Sequence, residues 1–255
     1  MNTFFFIFSY TIKRFLKDIR EISILLIIPV GLIVINSMFG DPVVLYGYNV
    51  TSSMNMPIFV LSFQFFNMGI MLYTLYLDFK GNMRWRLRAT PHSLLALILP
   101  AFVASWLFSL FLGLVIILVS LLFLGAYLGN ILVLATVLLL VSLMSSFLAM
   151  LIFLFAKTYA LANAVVYIVS FGLMIISGYM FPLGGSPLAV FLRNFGTPLS
   201  LGSRAIIYSG SLNEILHSGE GGRGMEQSLT NIGILAAITL ILAIFTLFAA
   251  RRRKI

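Results

Sequence analysis

The sequence predicts an all-α integral membrane protein: six transmembrane helices preceded by an amphipathic interfacial helix, with short outer-leaflet helices before the last span. Three observations carry this expectation. Of 255 residues, 61% are apolar and 9% charged, whereas a soluble domain carries about 25% charged and about 45–50% apolar residues. So few charges cannot solvate so much apolar surface. Six stretches, 22–39, 56–77, 96–124, 131–155, 159–181 and 229–250, are near or above the ~20 apolar residues that cross a bilayer as a helix. Alternation with a period of two is weak in all six, which disfavours a β-barrel.

The elements follow in order. In residues 1–21, Phe8, Ile12, Phe15, Leu16 and Ile19 recur at helical spacing, and Lys13, Arg14, Lys17 and Arg20 occupy other faces. This pattern suits a helix lying in the cytoplasmic interface beside anionic lipid. No small-x-small site follows the first apolar run, so a cleaved signal peptide is not expected. The third stretch carries Pro100 near its start, where a kink or the beginning of a helix is expected. The connection 182–228 opens apolar and is punctuated by Pro182, Pro187 and Pro198, as short helices in the outer leaflet would be. No internal repeat suggests inverted halves. The whole chain, 1–255, reads as one transmembrane domain.

Charge sets the orientation. All of the 16 basic residues except Arg193, Arg204 and Arg223 fall on the side that holds both termini, residues 78–93 and Lys157. The positive-inside rule makes that side cytoplasmic. The net charge of +9 therefore reports topology, and no nucleic-acid partner is expected.

Composition removes much chemistry. There is no Cys, and His occurs only at His92 and His217, both in polar segments. Thiol nucleophiles, Cys-ligated metals and span-borne haem ligands are thereby excluded, and no metal or cofactor is expected on this chain. No carboxylate sits within an apolar stretch, so an intramembrane proton relay is not expected. The phosphate loop G-x-x-x-x-G-K-[ST] is missing. An intramembrane hydrolase built on Ser177 needs a base at matching depth, and no span supplies His or Lys. Asn49-Val50-Thr51 matches a glycosylation sequon, a pattern common by chance.

Polar residues in the spans are few. Gln64 and Asn67 are three apart and share a helical face; Asn163 and Ser170 lie in the fifth stretch. Such residues face a partner helix or a cavity. Two roles stay open: interhelical adhesion, or, with Phe63, the lining of a substrate path. The loop 78–93 holds four basic residues around Trp85 and Leu87, beyond what orientation requires. A short amphipathic helix ending before Pro91 would dock into a groove on a soluble partner.

Two motifs are specific. Asp78, Gly81, Arg84 and the run Leu87 to Ser93 resemble the first cytoplasmic loop of the membrane subunit of type-2 ATP-binding-cassette exporters. The segment Ser177-Gly178-Tyr179-Met180-Phe181-Pro182, followed by Pro187 and Pro198-Leu199, resembles that family's Ser-Gly-x-x-Phe-Pro signature. The likeness extends to the order of elements along the chain. It departs at Asp78-Phe79-Lys80, where acidic and basic residues more often alternate.

The resemblance implies a permease subunit that does no catalysis itself. ATP and Mg would be held by a nucleotide-binding subunit in two copies, and a second permease, identical or different, would complete the complex. Arg84, Trp85, Arg86, Leu87, Arg88, Thr90 and Pro91 would form the coupling helix that the ATPase pushes. Gln64, Asn67, Phe63, Asn163 and Ser170 would line the substrate path, and Ser177, Gly178, Phe181 and Pro182 the outer gate. The expected cargo is an amphipathic molecule (drug, antibiotic, peptide or lipid), because Phe, Leu and Ile dominate the spans. A polysaccharide or teichoic-acid exporter is the alternative within the family; a hydrolase or a non-transporting sensor subunit is the alternative outside it. The expected location is the plasma (inner) membrane of a bacterium, with both termini cytoplasmic.

Overall fold

The computed structural model describes residues 3–17, 19–39, 44–45, 48–81, 94–126, 129–179, 184–210 and 224–252. The chain is helical almost throughout, because backbone N–H and C=O groups in hydrocarbon must pair within their own segment. The helices are α1 (Thr3–Lys17), α2 (Ile19–Phe39), α3 (Val50–Phe66), α4 (Met68–Phe79), α5 (Leu94–Leu124), α6 (Ile131–Phe155), α7 (Tyr159–Ile176), α8 (Pro187–Phe195), α9 (Pro198–Tyr208) and α10 (Gly224–Arg252). A minimal antiparallel hairpin, β1 (Val44–Leu45) and β2 (Tyr48–Asn49), precedes α3, with Val44 opposite Asn49.

Five segments are long and apolar enough to cross a membrane among the described residues: Ser53–Phe79, Ala96–Phe123, Ile131–Phe155, Tyr159–Ile176 and Gly224–Arg252. The first of the six expected spans falls on α2, whose described apolar stretch, Leu26–Ile35, is shorter than a crossing. Helix α5 runs without a break through Pro100. Pro100 lies in its second turn, where the missing N–H costs the helix one main-chain hydrogen bond without breaking it. The fifth stretch is helical only to Ile176. Gly178, at φ +75°, then turns the chain, a conformation that side-chain-bearing residues rarely adopt.

Helix α6 is the hub. It packs against α10, α4, α5, α9 and α3, and Val137, Val141 and Ala149 on it are wholly buried. The short helices α8 and α9 form as their prolines suggest: Pro187 and Pro198 stand at the first helical positions, behind Ser186 and Thr197 caps. They differ in burial. Helix α8 buries nothing, whereas α9 buries Leu199, Leu201, Gly202, Ala205 and Ile206 against α3, α6 and α10.

Helix α1 lies against α5. Phe15 stacks on Phe108 with ring centroids 4.9 Å apart, and Thr11 is fully buried. Phe5, Phe6 and Leu16 remain exposed on its other side. Replacing Phe15 with Ala removes the stack and leaves a cavity, a change that costs about 3 kcal/mol in a packed core. The detergent-purified F15A protein should therefore unfold several degrees below wild type in a thermal melt, with the N-terminal segment becoming sensitive to protease first.

Candidate functional site

Three places concentrate polar chemistry in an otherwise apolar bundle. The first is midway along the segment Ser53–Phe79. The helical bonding pattern is interrupted at Asn67, which accepts from the Ile70 N–H at 3.2 Å in a three-residue turn. Asn67 and Gly69 are both weak helix formers. Around the interruption the side chains knit α3 to α5. Ser109 donates its hydroxyl to Gln64 Oε1 at 2.5 Å; Gln64 Nε2 donates to the Ser109 carbonyl at 3.2 Å, and Asn67 Nδ2 to Ser109 Oγ at 3.1 Å. Gln64, Asn67 and Ser109 are all buried. Gly113, one turn beyond Ser109, makes the approach possible: a Cβ there would overlap the Gln64 amide and come within 2.9 Å of Leu138 Cδ1.

Of the residues expected to line a substrate path, the structure places Gln64 and Asn67 in this knot. Phe63 is buried and packs on Phe66, whose ring meets Phe171 of α7 at 5.0 Å and Tyr167 at 6.4 Å. Asn163 of α7 lies beside Gly69, its Oδ1 3.9 Å from where a Cβ would stand. Ser170 is on the same helix two turns further along. Its hydroxyl and Asn67 Oδ1 are buried without a hydrogen-bond partner among the described residues. Helices α3 and α4 pack against α7, which brings Asn163 beside Gly69, while Gln64 and Asn67 reach the other way, to Ser109 of α5. Ser109 escaped the sequence reading because a lone Ser in a helix ordinarily bonds its own backbone. The Ser109-x-x-x-Gly113 spacing was its signal.

The second place is the C-terminal end of α4, just ahead of the loop 78–93. Arg14 Nη2 of α1 pairs with Asp78 Oδ1 at 2.7 Å. Burial works against the Arg14 cation, but the hydrogen bonds and charges of Asp78 and Tyr10 together outweigh it and hold the guanidinium pKa above its ordinary value. Lys80 Nζ donates to the Ala156 carbonyl at 2.6 Å and the Phe153 carbonyl at 3.4 Å, and lies over the Tyr76 and Phe153 rings. Tyr76 also donates to the Ala156 carbonyl, at 2.8 Å. Lys80 and Tyr76 thereby occupy orphan carbonyls at the C-terminus of α6, where a cation also meets the negative end of the helix dipole. Residues Arg84, Trp85, Arg86, Leu87, Arg88, Thr90 and Pro91 lie outside the described residues.

The third place is where α7 ends. Ser177 is buried, donates to the Leu173 carbonyl at 2.6 Å and shares a 2.5 Å hydrogen bond with Thr197, the cap of α9. Thr197 and Ser200 close a reciprocal capping box. Tyr179 hydrogen-bonds Ser203 of α9, and Ser228 of α10 donates to the Ala205 carbonyl at 2.8 Å. A chain of hydroxyls thus joins Ser177 and the Gly178 turn to α9 and α10. Ser177 has only backbone and hydroxyl partners here, so nothing among them would act as a base for a nucleophile. Phe181 and Pro182 lie outside the described residues. No group of three or more His, Asp or Glu gathers among the described residues.

The knot at Ser109 is open to a double-mutant test. Ser109→Ala strands the Gln64 carbonyl and should cost about 1 kcal/mol, in the range of polar contacts between membrane helices. Gly113→Ala should cost more, because the Gln64 amide must move. With Gln64→Leu as background, the Ser109→Ala penalty should shrink; the readout is thermal unfolding in detergent.

A family sequence model described as ABC-2 type transporter matches residues 3–208. No curated protein matches the chain. The match runs from α1 through α9, taking in the Asn67 knot, the anchored end of α4 and the Ser177–Thr197 junction. The chain belongs to the ABC-2 type transporter family, as a multi-pass membrane subunit that works with an ATP-binding partner.

Proposed function

We propose that this subunit is the permease of an exporter, carrying an amphipathic, mainly apolar molecule (a drug, antibiotic, peptide or lipid) out across a bacterial plasma membrane. Two copies of a nucleotide-binding subunit, holding ATP and Mg, drive it, and a second permease, identical or different, completes the pathway. The observation that carries the reading is the anchored end of α4 in a chain of this family. Asp78 and Lys80 tie the start of the loop 78–93 to α1 and α6, so a push on that loop reaches three helices at once. The segment from Arg84 to Pro91 is then the coupling helix that receives the push.

Support for an apolar cargo comes from the seam between α3–α4 and α7. Its walls are Phe63, Phe66, Tyr167 and Phe171, with the uncharged amide of Asn163 among them. Tyr167, Ile168, Phe171 and Ile175 stay exposed on α7, an apolar face suited to a second permease. The Ser177–Thr197 junction is the natural outer gate, because separating α7 from α9 there breaks hydroxyl bonds and exposes no charge. Lys13, Arg14 and Lys17 on α1, with Arg251 and Arg252 on α10, support a cytoplasmic side for both termini and an interfacial position for α1.

Two experiments test the reading. The wild-type protein should copurify with its ATPase and raise the ATP hydrolysis rate, and Arg84→Glu with Arg88→Glu should abolish both; an intact, stimulated complex sinks the coupling assignment. Because the chain has no native cysteine, single cysteines report topology cleanly. Gly221→Cys should react with an impermeant thiol reagent added outside, and Asn82→Cys should not; the opposite pattern inverts the orientation.

A further inference from the structure

We infer that the cavity between α8, α9 and α10 is a binding site for the phosphate headgroup of an anionic phospholipid. The cavity measures about 300 Å³ and is lined by Phe195, Arg204, Tyr208, Gln227, Thr230 and Asn231. That size is at the small end of ordinary ligand sites. Among the described residues that line it, Arg204 is the one ionic group, and none of the six is acidic.

Arg204 is held in place. One terminal nitrogen donates to Asn194 Oδ1 and the other to the Tyr208 hydroxyl at 3.3 Å. A guanidinium carries five N–H donors in a fixed fork, so these two bonds orient the group and leave donors to spare. Tyr208, Gln227 and Asn231 add hydroxyl and amide groups around it, while the Thr230 hydroxyl donates to the Glu226 carbonyl at 2.9 Å. Gln227 sits in the first turn of α10, where the helix dipole is positive, next to the exposed Glu226. A fixed arginine fork with neutral donors beside it suits a phosphate oxyanion, through short charge-assisted hydrogen bonds.

The wall of the cavity says which phosphate. Phe195 lines it and is also the last of three exposed apolar residues, Leu188, Phe191 and Phe195, at helical spacing on α8. Helix α8 buries none of its residues in the bundle, as expected of an amphipathic helix lying in a bilayer interface. A free anion gains nothing from that apolar track. A lipid with its headgroup at Arg204 lays an acyl chain along it. The leaflet, which is the outer one, rests on the orientation proposed above; the binding itself does not.

The test uses the purified full-length chain in detergent. Short-chain phosphatidylglycerol, short-chain phosphatidylcholine and inorganic phosphate are titrated separately, and thermal stability gives apparent affinities. Phosphatidylglycerol should stabilise the wild type at concentrations where the other two do nothing. Arg204→Gln should weaken that effect about tenfold, as the loss of a charge-assisted pair does, and Arg193→Gln, on α8 away from the cavity, should leave it unchanged. If Arg204→Gln fails to fold, Gln227→Glu decides, since it puts a carboxylate on the exposed rim and should weaken binding similarly. Equal stabilisation by inorganic phosphate makes the site a free-anion site, equal stabilisation by phosphatidylcholine makes it charge-blind, and retention of affinity in both Arg204→Gln and Gln227→Glu places the lipid elsewhere; each overturns the proposal. None of these readouts involves ATP or transport, so they stand apart from the exporter reading.

Discussion

Helices in hydrocarbon have no hydrophobic force to draw them together, because lipid tails are as apolar as the leucines they would bury. Close packing and a few hydrogen bonds must hold this bundle. The Gln64–Asn67–Ser109 knot shows how the two combine. Three side chains satisfy one another at 2.5–3.2 Å, and Gly113 permits the approach by having no side chain. Packing at α6 and the hydroxyl chain at Ser177, Thr197 and Ser200 follow the same pattern elsewhere in the fold.

The two ends of the bundle are built with different chemistry. At the end where α4 runs into the loop 78–93 the links are ionic or charge-assisted: Arg14 with Asp78, and Lys80 with the carbonyls of Phe153 and Ala156. At the α9 end they are neutral hydroxyl contacts among Ser177, Thr197, Tyr179 and Ser203. Charge-assisted bonds are the stronger kind. The stronger links lie beside the proposed coupling loop, and the weaker ones where the proposed gate would part on each cycle.

Crossing segments were legible because hydropathy is a bulk property of about 20 residues and survives any detail of packing. Pro187 and Pro198 announced α8 and α9 for an equally local reason, a fixed φ at a helix start. Interaction partners were not legible. Lys80 counted only as one more positive-inside residue, since that rule is blind to which cation reaches a carbonyl. Gln64 and Asn67 stood out as polar, yet their partner Ser109 lies in a different helix, and no periodicity within one segment reveals it. The interruption at Asn67 vanished in the average over an apolar stretch. The end of the fifth crossing was placed too late, because Ser177 to Phe181 are compatible with an apolar helix until the Gly178 turn is seen.

The turn at Asn67 bears on the mechanics of the segment Ser53–Phe79. A uniform α-helix transmits a tilt along its whole length; here one turn is closed by a three-residue bond of poorer geometry, from the Ile70 N–H to the Asn67 carbonyl. The piece beyond that turn, α4, has 12 residues and is about 18 Å long at the α-helical rise. A bend of about 10° at that turn would carry the far tip of α4 about 3 Å with α3 left where it stands, and would be centred close to Gly69 and its neighbour Asn163.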